Sequence, residues 1–82
     1  DQSEELKDKI TEMNALNTVR GEAIVSISEW HTAKTTYENA AEPKVEALAK
    51  LRVSYFTAKM KCDILEEYNI VEQMCLTLGL PQ

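Results

Sequence analysis

Apolar residues recur along the first half of the chain at spacings of three and four: Leu6, Ile10, Met13, Leu16, Ala23, Ile27, Trp30, Tyr37 and Ala41. Arg20 and Lys34 are the two basic members of the same series. Such a period, held over roughly ten turns, is that of an amphipathic helix. Ser3 is a suitable N-cap, and Asp1, Glu4, Glu5 and Asp8 put negative charge at the positive end of the helix dipole. Glu5 with Lys9, and Lys34 with Glu38, are opposite charges one turn apart. Residues 14–18 and Gly21 have low helix propensity, and Asn17 or Thr18 could cap a new helix. The pattern therefore predicts one helix over 3–39, with a break near Asn17 as the alternative. Residues 25–28 alternate like a strand, but four residues are too few to build a sheet.

Pro43 marks a boundary, because proline removes a backbone donor and restricts the residue before it. The segment after it is rich in strong helix formers. Gly79 fits the position just past a helix end and Pro81 the stop beyond it. The expected domain is one helical unit over 1–82, with a turn at 39–42 and a second helix over 43–78. A short connection makes neighbouring helices antiparallel. The implied register sets Glu22 near Lys59, Glu29 near Arg52, Ile27 near Tyr55 and Trp30 near Leu51. Ile10 then faces Val71 or Glu72.

The second helix carries more apolar residues than one partner helix needs. Leu48, Leu51, Tyr55, Ala58, Cys62 and Leu65 make one seam, whereas Val53, Phe56, Met60, Ile64, Val71, Met74 and Cys75 fall largely outside it. Each large side chain stabilises by roughly 1.5–3 kcal/mol when buried. A third helix or another chain is therefore expected to cover the surplus. The fold class is all-α, an antiparallel helical hairpin of two long amphipathic helices, completed to a four-helix bundle by dimerisation. A three-helix bundle with a break near Asn17 is the alternative. Val53, Phe56, Met60, Ile64, Val71 and Met74 are the expected partner-binding residues.

Composition narrows the function classes. Eighty-two residues make one domain at most, and a chain this short buries only about 60% of its unfolded surface. Two glycines and two prolines are too few for the turns of an all-β domain. The net charge of −5 weighs against a nucleic-acid binder, which needs a clustered basic face, and against an anionic membrane surface. No apolar run reaches the ~18 residues of a membrane span. No leader pattern is visible, and a start at Asp1 fits a fragment, a cleaved tag or a processed form. Cys62 and Cys75, if both lie on one helix, stand about 20 Å apart. Bridging needs Cα atoms within ~7 Å. The pair is expected as thiols in a reducing compartment, the cytoplasm being favoured and secretion after removal of a signal peptide the alternative, or as a bridge between protomers.

Nothing in the residue spacing commits the chain to a chemistry. His31 is the only histidine and has no partner at metal-ligand spacing. Neither cysteine has a second cysteine two to four residues away, so no zinc or dithiol motif is present. Asp63, Glu66 and Glu67 read as a solvated acidic face, and Lys44, Lys50, Arg52, Lys59 and Lys61 as a basic first half of the second helix. No cofactor or small-molecule ligand is called for. The expected function is a non-enzymatic protein-interaction or oligomerisation module whose partner is a protein or a second copy. The alternatives are a small acidic inhibitor or chaperone that masks a basic or aggregation-prone protein and, more weakly, a helical-bundle enzyme that holds a dianion with Arg20, Lys34 and Arg52.

Overall fold

The computed structural model describes residues 1–81. Two antiparallel helices, α1 (Gln2–Asn39) and α2 (Val45–Glu67), make an all-α hairpin, and a short 3-10 helix (Gln73–Thr77) follows. The molecule is a rod of 63 × 16 × 14 Å.

Helix α1 is continuous through the weak stretch. Thr18 Oγ1 donates to the Asn14 carbonyl at 3.0 Å, so a residue that could have capped a new helix satisfies itself inside this one. The N-cap is Asp1 rather than Ser3: the Asp1 carboxylate accepts from the Ser3 N–H at 2.6 Å. After the turn, which contains the cis Glu42–Pro43 bond, α2 begins with Lys44 as its cap, one residue past the proline.

The second helix ends eleven residues earlier than the 43–78 span predicts, at Glu67 rather than 78. Asn69 takes a left-handed conformation, φ 61°. Its N–H donates to the Glu66 carbonyl at 2.9 Å and the Ile70 N–H donates to Leu65 at 3.0 Å. This is the Schellman pattern, which ends a helix by satisfying its last carbonyls, and asparagine tolerates it better than any other residue with a side chain except glycine. Gly79 plays no such part: its carbonyl accepts the buried Trp30 indole N–H at 3.1 Å.

Beyond Asn69 the chain reverses and residues 70–81 form a strap along the hairpin. Cys62 and Cys75 are joined in a disulfide with Cα atoms 6.0 Å apart. The expectation that they lie on one helix and cannot pair with each other is therefore wrong, because the helix ends between them. The strap delivers Cys75, Leu78 and Leu80 to a core of Ile27, Trp30, Leu51, Ala58 and Cys62, against which Ala33, Tyr37 and Tyr55 also pack. Part of the surplus apolar surface is thus covered from within the chain.

Register follows the expectation in the core and departs from it at the ends. Ile27, Trp30 and Leu51 share one cluster with Tyr55 against it. Glu22, however, pairs with Lys61 at 2.9 Å, while Lys59 pairs with Asp63 on its own helix at 3.4 Å. Glu72 reaches Arg20 at 2.9 Å, not the neighbourhood of Ile10. A helix of 23 residues is about 35 Å long and one of 38 about 57 Å. With α2 ended early, residues 1–15 have nothing opposite them and all are exposed.

Two outcomes follow from this construction. Asn69→Val should cost about 1–2 kcal/mol in urea unfolding, since a β-branched residue resists positive φ, whereas Asn69→Gly should cost nothing. Replacing both cysteines by serine should cost about 3 kcal/mol, the usual contribution of a loop of this length. Trp30 fluorescence should shift to the red as the strap lifts away from the indole.

Candidate interaction surface

Helix α2 is apolar on two opposite faces. At 100° per residue, Leu51, Ala58, Cys62 and Leu65 fall together, and all four are buried. Val45, Ala49, Val53, Phe56, Met60 and Ile64 fall on the far side, spaced by four, four, three, four and four. Val53 is 68% exposed, Phe56 58% and Met60 54%, while Ile64 is half-buried. The ring of Phe56 meets Tyr55 edge-on, with centroids 5.0 Å apart, so it stands on a side chain that itself packs on the core. Three large apolar side chains in a row, each more than half wet on a rigid helix, make a surface suited to helix-mediated protein contact.

The six residues expected to bind a partner do not all share this surface. Val53, Phe56, Met60 and Ile64 do. Val71 and Met74 sit on the strap, beyond the end of α2, and both are exposed. On a helix running to 78 they would have continued the row. The Schellman turn at Asn69 removes them from it.

A second apolar row escaped the sequence reading as a surface. Leu6, Ile10, Met13 and Ile24 are all exposed along α1, the first three continuing past the end of α2 the series that carries buried Ala23, Ile27 and Trp30. Leu6, Ile10 and Met13 read as core because a full-length second helix was expected beside them. The missing signal was Asn69 as a helix stop.

The residues that could carry chemistry are engaged or solvated. His31 is exposed. Both cysteine sulfurs are in the disulfide, so neither is a free thiolate. Arg20 Nε bonds Glu72, and Lys34 Nζ lies 5.4 Å from the centre of the Trp30 ring. Arg52, Asp63, Glu66 and Glu67 are exposed on α2. A cleft of about 160 Å³ lies between α2 and the strap, lined among others by Tyr55, Lys59, Asp63, Val71 and Glu72. Among the described residues no group of three or more His, Cys, Asp or Glu side chains could hold a metal ion. No helix among them is long and apolar enough to cross a membrane.

Comparison with protein-family models, curated proteins and solved structures finds no match to this chain.

If the far row of α2 is surface, its truncation should leave the monomer fold alone. Met60→Ala should change unfolding free energy by no more than about 0.5 kcal/mol. Leu51→Ala, inside the core, should cost about 2–5 kcal/mol in the same urea titration.

Proposed function

We propose that this chain is a non-enzymatic protein-interaction module whose contact surface is the outer face of α2, centred on Phe56 and Met60. The observation that carries the reading is the second apolar row on that helix. One face of α2 is fully used by the core and the strap. The other presents Val53, Phe56 and Met60 to water on a scaffold held by a disulfide. Leaving those side chains wet forfeits roughly 1.5–3 kcal/mol each relative to burial. A helical partner that lays its own apolar stripe along the row recovers that stabilisation.

The charge pattern argues against the masking of a basic partner at this face. Lys50 and Arg52 flank the first half of the row, so the face is of mixed charge rather than acidic throughout. An enzyme built on Arg20, Lys34 and Arg52 is disfavoured because Glu72 and Trp30 already engage the first two. The disulfide suits an oxidising compartment better than the cytoplasm.

A photo-crosslinking residue at position 56 or 60 should trap a protein, whether a second copy or another chain, when the module is placed in its native milieu. The same residue at exposed position 38 should not. Absence of any protein adduct at both 56 and 60 would overturn the reading.

A further inference from the structure

We infer that the partner on the outer face of α2 is a second copy of this chain, packed antiparallel through the same face. This deepens the interaction reading above and rests on it. Two observations carry it. The apolar row is self-complementary in an antiparallel sense: with Phe56 opposite Met60 of the second copy, Val53 falls within one residue of Ile64 of that copy, and the two-fold axis repeats both contacts. The charges beside the row then decide orientation. Residues 44–61 carry five basic side chains and one acidic, while residues 62–67, the end of α2, carry three acidic and none basic.

Parallel pairing would lay basic half on basic half. Antiparallel pairing lays basic on acidic twice over, and like-charge juxtaposition is what excludes the wrong arrangement. In the register set by Phe56 and Met60, Arg52 comes opposite Asp63 of the second copy. The two lie on the same flank of the row, 160° and 180° around the helix when each residue advances 100°. Arg52 and Asp63 are both exposed. Asp63 is already beside Lys59, at 3.4 Å, so the approaching guanidinium shares a carboxylate that is in place.

The interface is small. A helix about 35 Å long and ~10 Å wide offers roughly 350 Å² per copy, below the ~1,200 Å² in total of stable complexes. The dimer is therefore weak and concentration-dependent, with a dissociation constant of about micromolar or above.

Sedimentation equilibrium on the full chain, oxidised and taken up to ~1 mM, tests this. The expected result is a mass rising from one chain towards two. Arg52→Asp alone and Asp63→Arg alone should each weaken the dimer about tenfold or more, because the symmetry turns two attractive pairs into two repulsive ones. The double variant R52D/D63R should recover the affinity. Circular dichroism on each variant confirms that the helices persist. A chain that stays monomeric at every concentration would overturn the inference, and so would a dimer indifferent to the single charge reversals or not rescued by the double. Trapping only a different protein at position 56 would also overturn it, while the interaction reading would survive. No adduct at 56 or 60 together with a monomer would end both.

Discussion

The bond between Cys62 and Cys75 holds the arrangement on which the rest of this molecule depends. A two-helix hairpin has one seam and little interior, and most of each helix faces water. By fastening the chain after α2 back onto α2 itself, the disulfide converts a two-element structure into one with three walls around Trp30. The indole is then enclosed by α1, α2 and the strap. Its N–H, which would be costly to bury unpaired, finds the Gly79 carbonyl that the strap brings to it. Leu78 and Leu80 are held against the same cluster. Without the covalent link, a strap of a dozen residues with few apolar anchors would have to offset its own ordering entropy.

The link and the Schellman turn at Asn69 are two parts of one device. The turn ends the helix at Glu67 and points the chain backwards, and only then can Cys75 approach Cys62 within bonding distance. Had α2 continued, the cysteines would lie on one rod about 20 Å apart. Ending α2 early also has a consequence at the far end of the molecule. It leaves the first fifteen residues of the chain as an unaccompanied helical arm, exposed on every side.

Helix α2 carries the functional reading because its two apolar faces have different fates. The strap completes the enclosure of the inner face, and among the described residues nothing covers Val53, Phe56 and Met60 on the outer one. The polarity of charge along the same helix, basic near its start and acidic near its end, makes the outer face directional. A surface that is apolar along its middle and oppositely charged at its two ends is matched by itself when turned end for end. On the self-pairing inferred above, the weak affinity expected of so narrow a contact would make assembly depend on concentration.

The helical class, the hairpin, the turn near Pro43 and the excess of apolar residues on α2 were legible in the sequence, because periodicity and proline act locally and need no partner to be read. The grouping of Ile27, Trp30, Leu51 and Tyr55 was legible too, since a short connection leaves antiparallel neighbours little choice of register near the turn. The cap moved from Ser3 to Asp1, a shift of the size that separates rival local hydrogen bonds. Four of the six expected contact residues share a face for the same local reason, the helical period. What tertiary structure alone decided was where α2 stops. Tyr68, Asn69 and Ile70 are compatible with continuing a helix, and Gly79 with Pro81 offers a stronger local stop. The earlier stop prevails because the reversed chain gains a disulfide, a partner for the Trp30 indole and cover for the core, none of which a periodicity can register. That single decision moved Val71 and Met74 off the row and joined the two cysteines. It also left Leu6, Ile10 and Met13 in water.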